Sequence, residues 1–310
     1  FYILPEDFEK GASLIAEQKK YVAFFEKFLG PYPFRSQKIG IVETPHLGME
    51  HSTAIAYGNG FEYDKAGAEW VRVHEFGHEW WANLVTASDW RDFWIHEGFQ
   101  SFMDTLWVEE TQGKDAYFTA MKNRARGFKN RQPVAPREPK IAYQVYMSEP
   151  DYLNSDGDIY GKGAYFLHTL RYLIGDEAFF KALRHMAYPT KEMETYTDGR
   201  QTRLVNTDDF LTIAEQDSGM DLDWLFEIYL RQPKLPKLTS ATFASGGSGT
   251  LKLSWETPNN MPFPMPIDIE VDGKIQRLEM KDGSATVPFS GTVPVVDPIG
   301  WVLKAENPKN

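Results

Sequence analysis

The chain has 310 residues, with 33 basic against 44 acidic side chains for a formal net charge of −11, nine tryptophans and no cysteine. That length can hold one large domain or two around a buried core, and the acidic balance excludes nucleic acid and anionic membrane as partners. The absence of cysteine excludes disulfides and thiolate metal sites but leaves cytoplasm and periplasm equally open for a soluble protein, and no apolar run is long enough to span a bilayer.

In chain order, residues 5–29 carry helical periodicity through Phe8, Ile15, Val22, Phe25, Phe28 and Leu29, and stop at Gly30-Pro31. Residues 38–43 read as a strand, 45–50 as a turn, and 52–57 as a returning strand. Glu50 then falls at a sheet edge, where an extended peptide can add through backbone hydrogen bonds. Residues 66–83 and 92–112 read as helices, 131–158 as a long Pro-, Asp- and Tyr-rich loop, and 163–188 and 208–232 as helices again. Within the loop, Asn154-Ser155-Asp156-Gly157-Asp158 superficially suggests a calcium site but lacks the closing glutamate, so it reads as a turn. Beyond Gln232-Pro233-Lys234-Leu235-Pro236 the period changes to two, with Leu251, Leu253 and Trp255, then Ile267, Ile269 and Val271, alternating with polar residues. Asp272-Gly273 and Asp282-Gly283 are hairpin signals. The expected organisation is an α+β domain over residues 1–236, followed by a small all-β sandwich over 237–310 that carries no visible chemistry.

The chemistry concentrates in His74-Glu75-Phe76-Gly77-His78, with Glu97 nineteen residues past the second histidine. Histidines four apart on a helix share one face, with Cβ atoms about 5–6 Å apart. Both imidazoles can therefore reach one Zn²⁺ at about 2.0–2.1 Å, with a carboxylate as third ligand and the fourth position open to water. A satisfied histidine pair on a half-buried helix is the bland alternative. Glu75 inside the pair and Glu97 beyond it make a zinc hydrolase the stronger reading.

From Val73 the chain runs VHEFGHEWWANLVTASDWRDFWIHEGFQSFMD. This resembles the aminopeptidase N family of zinc metallopeptidases, gluzincins that also include leukotriene hydrolase. The family pattern is His-Glu-x-x-His, eighteen residues, then Glu, and His78 and Glu97 bracket that gap. Trp80, Asn83, Val85, Thr86, Trp90, Trp94, Gly98 and Phe99 also fall at family positions, whereas Ala82 and His96 stand where Gly and Asn are usual. Upstream, Leu47-Gly48-Met49-Glu50-His51 is similar to the family's Gly-x-Met-Glu-Asn exopeptidase motif, with Leu47 and His51 departing from it. Downstream, Asp158-Ile159-Tyr160-Gly161-Lys162-Gly163 is similar to its Tyr-x-Lys-Gly segment. Alone, Glu50 reads as a solvated turn carboxylate and Tyr160 as a packed aromatic; their order around the zinc motif gives them the functional reading.

The resemblance implies a thermolysin-like catalytic domain with one Zn²⁺ per chain, held by His74, His78 and Glu97. It implies Glu75 as general base, Tyr160 as oxyanion donor, and Glu50 with Gly48 and Met49 binding the free α-amine of a peptide. Asp104, two turns past Glu97, occupies a position that is usually acidic in the family and is the candidate to orient a zinc histidine. The implied activity is removal of the N-terminal residue from peptides. A zinc endopeptidase of the same clan and a non-catalytic, zinc-stabilised peptide-binding scaffold are the alternatives. The family's N-terminal β domain, and the helical C-terminal domain that often follows, are expected to lie outside this sequence. His51 reads as a surface or packing histidine, His96 as near the zinc by adjacency rather than as a fourth ligand, and His46, His168 and His185 receive no role.

Overall fold

A 3-10 turn opened by Pro5 leads into helix α1 (Phe8–Leu29), which stops where the Gly30 amide bonds back to the Glu26 carbonyl at a φ of 96°. The computed structural model describes residues 1–64, 69–146, 158–245 and 247–305. After α1 come three short strands, β1 (Ile41–Glu43), β2 (Gly48–Met49) and β3 (Ile55–Tyr57), in the order β1-β3-β2. Two details depart from the sequence reading. The strand at 55–57 runs parallel to β1 rather than returning along it, and the stretch read as a turn contains β2, paired antiparallel to β3 at the sheet edge. Strands this short are set by long-range pairing more than by their own periodicity.

Helix α2 (Trp70–Gly77) carries the histidine motif and buries Val71, Val73 and Phe76. The expected start at 66 lies outside the described residues. The expected end at Asn83 does not hold, because the α-helix stops at Gly77. Beyond it the amides of Asn83, Leu84 and Val85 each reach back five residues, to His78, Glu79 and Trp80. This wider turn delivers the chain to β4 (Val85–Ala87), which pairs in parallel with β5 (Arg203–Val205), a long-range pair absent from the sequence reading.

Helix α3 (Trp94–Gln112) is separated by Gly113 from α4 (Lys114–Ala125), a polar helix that the sequence reading did not identify. The region read as a loop contains a short helix, α5 (Ala142–Tyr146). Helix α6 (Asp158–Ala187) begins five residues before the expected start, so Tyr160 lies in its first turn, and Gly175 (φ 82°, ψ 160°) breaks it into two segments. Of the calcium-like stretch, residues 154–157 lie outside the described residues. Asp158 accepts hydrogen bonds from the amides of Lys129 and Asn130 at 3.1 and 2.9 Å. The expected 208–232 helix is likewise divided: α7 (Thr207–Ser218), capped by Asn206, ends at left-handed Gly219, and α8 (Asp223–Phe226) runs into a π-type turn, Glu227–Arg231.

Two three-stranded antiparallel sheets follow. In one, β7 (Ser248–Glu256) lies between β6 (Lys237–Ser245) and β10 (Ser284–Ser290); in the other, β8 (Ile267–Val271) lies between β9 (Lys274–Leu278) and β11 (Val295–Val296). Leu251, Leu253, Trp255, Ile267 and Ile269 are buried, the alternation expected for strands with one face inward. The β8–β9 turn has positive φ at both Asp272 and Gly273, the conformation that suits a two-residue hairpin. This β region packs on α6: Tyr165 Oη donates to Gly300 O at 2.9 Å, Thr169 Oγ1 to Trp301 O at 3.1 Å, and Tyr172 Oη to Asp268 Oδ1 at 2.7 Å. Among the described residues, no helix is long and apolar enough to cross a membrane.

Candidate metal centre

Helices α2 and α3 bring three ligand atoms to one point. His74 Nε2 and His78 Nε2 are 3.2 Å apart, and Glu97 Oε2 lies 3.5 Å from each. The tautomers follow from the other ring nitrogens. His78 Nδ1 lies 2.8 Å from the Trp81 carbonyl, which only accepts, so Nδ1 carries the proton and Nε2 presents a lone pair. His74 Nδ1 lies 2.8 Å from Asp104 Oδ2 and is fixed in the same sense. The local backbone explains the His78 bond. With the α-helix ended at Gly77, the Val85 amide goes to Trp80 O, and the Trp81 carbonyl is left for the imidazole.

Three lone pairs facing one another at these distances need a positive charge between them. Glu97 Oε2 is buried and has no hydrogen-bond partner. Ligands about 2.0–2.1 Å from a tetrahedral ion lie roughly 3.3–3.4 Å from one another, close to the 3.2–3.5 Å seen here. A nitrogen–nitrogen–oxygen donor set of this size and burial fits zinc.

The electrostatics report the same convergence. Burial lowers the proton affinity of His74, but the Asp104 and Glu97 carboxylates outweigh it and hold the pKa well above its ordinary value. For His78, burial is outweighed mainly by Glu97, giving about 9. For Glu97, burial raises the pKa and the two imidazoles more than reverse it, holding the carboxyl well below its usual range. Each group seeks a cation at the same place.

Around this cluster the other predicted residues fall as follows. Glu75 is next to it on α2, and burial, supported by Glu50 and Glu97 against the pull of both imidazoles, pushes its pKa up to about 7. One oxygen of Glu50, one of Glu75 and a ring nitrogen of His78 all lie within 4.8 Å of one another. Gly48 on β2 is required by close approach, since a Cβ there would overlap Glu75 Oε1 and lie 2.9 Å from its Cδ and Cγ. Met49 follows on the same edge strand. Tyr160 is half-buried in the first turn of α6, next to the place where that helix crosses α3. There Gly98 and Gly163 meet, each leaving only about 3 Å between a hypothetical Cβ and the other's Cα. His51 is exposed. His96 faces elsewhere, its Nε2 accepting from the Ala87 amide at 2.9 Å, and burial pushes its pKa down to about 3.

Some residues around the centre were not legible from the sequence. Asn83 Nδ2 donates to Glu50 O at 3.0 Å, and the buried Glu79 accepts from the Thr53 amide at 2.7 Å. Together they tie the 50–53 turn to the histidine motif. Gln100 Nε2 donates to Asp104 Oδ1 at 2.9 Å, and the Arg124 guanidinium lies 3.7 Å from Asp104 Oδ2. A cavity of about 910 Å³ lies elsewhere, between α4, α6 and the β region, lined in part by Phe118, Arg126, Tyr165, Leu253 and Gly300; none of the cluster residues lines it.

The Peptidase family M1 domain profile matches residues 12–229. The chain belongs to peptidase family M1. Aminopeptidase N of Lactococcus lactis subsp. lactis is 30% identical over 173 residues, 55% of this chain and 19% of that protein. Aminopeptidase N of Streptomyces lividans is 28% identical over 229 residues, 71% of this chain and 26% of that protein. The chain therefore spans only a minor part of these relatives. Among solved structures, Legionella pneumophila aminopeptidase A in complex with aspartic acid superposes with a TM-score of 0.65 at 18% identity, covering 90% of this chain and 32% of that one, a likeness of fold. An M1 zinc metallopeptidase from Deinococcus radiodurans gives 0.52 at 25% identity over 71% of this chain and 44% of that one. The α+β architecture agrees with this M1 membership, which implies zinc as the metal.

Proposed function

We propose that this M1 chain holds one zinc ion on His74, His78 and Glu97 and removes the N-terminal residue from peptides that have a free α-amine. Residues 1–236 form the catalytic domain in this reading, and 237–310 a β-sandwich that packs against it. The supporting observation is the second carboxylate. Glu50 stands within 4.8 Å of Glu75 and His78 at the end of an edge strand, and the metal cluster does not need it as a ligand. A carboxylate beside the reacting centre that the three metal ligands do not include suits a substrate ammonium, which fixes the cut one residue from the end.

Zinc bound at this centre supplies Lewis acidity to a water and to the scissile carbonyl. The remaining steps belong to the chain. Glu75, next to His74 on α2 and within reach of the cluster, takes the proton from the attacking water and returns it to the leaving amine. Tyr160 donates a hydrogen bond to the carbonyl oxygen as it gains charge, a role whose loss costs about 3–4 kcal/mol where single donors have been removed. Strand β2, at the edge of its sheet among the described residues, lies alongside the substrate backbone in this reading, through Gly48 and Met49. Asp104 holds His74 in the tautomer that presents Nε2.

The test is hydrolysis of fluorogenic aminoacyl substrates, each offered free and N-acetylated, with and without a chelator. Chelator-sensitive cleavage of the free-amine members alone is the expected result. Cleavage of the acetylated members would make the chain an endopeptidase, and no cleavage with one zinc bound would make it a binding scaffold.

A further inference from the structure

We propose that Gln100 is a positioning residue for His74, seated in a notch that exists only because residue 77 is glycine; this rests on the reading of His74 as a zinc ligand. Gln100 is fully buried on α3, one turn past Glu97. Its Nε2 donates to Asp104 Oδ1 at 2.9 Å and lies 3.4 Å from the Val73 carbonyl. Both neighbours are acceptors, so the amide orientation is settled by chemistry. The hydrogen bonds form a circuit: Val73 on α2, Gln100 and Asp104 on α3, then His74, the residue after Val73.

The circuit matters because Asp104 has two N–H donors beside one oxygen, the His74 imidazole and the Arg124 guanidinium. Oδ2 lies 2.8 Å from His74 Nδ1 and 3.7 Å from the Arg124 guanidinium. A carboxylate free to rotate would present both oxygens to the guanidinium, the bidentate geometry arginine favours. Gln100 engages Oδ1 and so keeps Oδ2 on the imidazole. Arg124 is itself fixed by a bond from Nε to Thr105 Oγ1 at 2.9 Å.

Gly77 supplies the room. A Cβ at residue 77 would overlap Gln100 Oε1 and Cδ and lie 2.5 Å from Nε2. Gln100 Oε1 has no hydrogen-bond partner. An apolar side chain would avoid that burial cost, so the amide is retained for what its nitrogen does.

The experiment uses the whole chain and measures zinc affinity by competition with a chromogenic chelator, beside the melting temperature of the metal-free protein. Gln100→Leu keeps the volume and removes the amide. It should weaken zinc binding about 10- to 100-fold, the range for groups that orient a metal ligand, with the metal-free melting temperature close to wild type. Gly77→Ala should lower the metal-free melting temperature sharply, and Gln100→Ala added to it should restore much of that loss. A folded Gln100→Leu that binds zinc within about twofold of wild type, well under that range, overturns the proposal. Gly77→Ala and Gln100→Ala losses that simply add overturn the notch. His74→Ala is the control for the reading beneath it. Zinc held equally by wild type and His74→Ala overturns both, whereas zinc lost from His74→Ala and kept by Gln100→Leu overturns this proposal alone.

Discussion

Gly48→Ala tests whether Glu75 is the base, because it moves that side chain without touching a ligand. The new Cβ would overlap Glu75 Oε1 and lie 2.9 Å from Cγ and Cδ, where comfortable carbon contacts begin at about 3.5 Å. The carboxylate must retreat by roughly 1 Å. The backbone offers no resistance to alanine, since Gly48 lies in strand β2 and its φ is not positive. What must yield is the far end of a flexible side chain, so the fold should tolerate the change, with a melting temperature within about 2 °C of wild type. Catalysis should not tolerate it. A displacement of about 1 Å at a reacting group costs on the order of 100-fold, close to 2.7 kcal/mol of barrier. Steady-state kinetics on a free-amine fluorogenic substrate, with zinc content and melting temperature measured alongside, give the result. The expected pattern is kcat down about 100-fold with one zinc retained. A wild-type kcat would refute Glu75 as the base or the contact as its constraint, and loss of zinc would show that β2 supports the ligands as well.

Glu75→Gln should retain zinc and abolish turnover; a nearly active variant with full zinc content would remove Glu75 from proton transfer. Tyr160→Phe should lower kcat with KM little changed, and a rise in KM alone would mean that Tyr160 only positions the substrate. His168 gives a stability prediction away from the centre. Buried between Tyr117 Oη and Gly300 O and stacked on Trp301, it has its pKa pushed to about 3, chiefly by burial with Arg171 adding to it. The unfolded chain therefore takes up this proton first, and the stability it contributes is lost as pH falls from about 6.5 toward 3, about 2 kcal/mol by pH 5. Urea midpoints of wild type and His168→Gln should converge as the pH is lowered over that window, and a pH-independent difference would show that His168 is not the titrating group.

The parts of the site that lie within one helix were legible, and those that depend on another segment were not. His74 and Glu75 sit on α2 with His78 as its C-cap, still in helical conformation, and Glu97 and Asp104 share a face of α3, because the 3.6-residue period places i+4 and i+7 neighbours together. Nothing local says that residues 85–87 pair with 203–205, or that the strand at 55–57 lies parallel to 41–43. Helix α4 was missed because half of its sequence, KDAYFTAMKNRA, is polar and only Tyr117 and Met121 are buried, so its apolar stripe is narrow. Tyr160 falls between the expected loop, 131–158, and the expected helix, 163–188, yet α6 already begins at Asp158. Gly48 and Gly98 were legible as motif positions, but what each leaves room for was not, and Gly77 drew no reading at all. Gly48, Gly77 and Gly98 matter for what would fill their missing Cβ positions, namely Glu75, Gln100 and the first turns of α6.

These contacts divide the centre into groups that must stay and a group that must move. A metal ligand should keep one tautomer throughout turnover, and both histidines have Nδ1 committed to an acceptor, Asp104 for His74 and the Trp81 carbonyl for His78. A base must change protonation twice per cycle. Glu75 is correspondingly placed against Gly48, where packing sets its position. Fixing the ligands by hydrogen bonds and the base by packing means that the two can be perturbed independently. Gln100→Leu should weaken zinc while leaving Glu75 in place, and Gly48→Ala should displace Glu75 while leaving zinc in place. If each variant lost zinc and turnover in the same proportion, ligands and base would share a single support, and the separation drawn from the hydrogen bonds would be wrong.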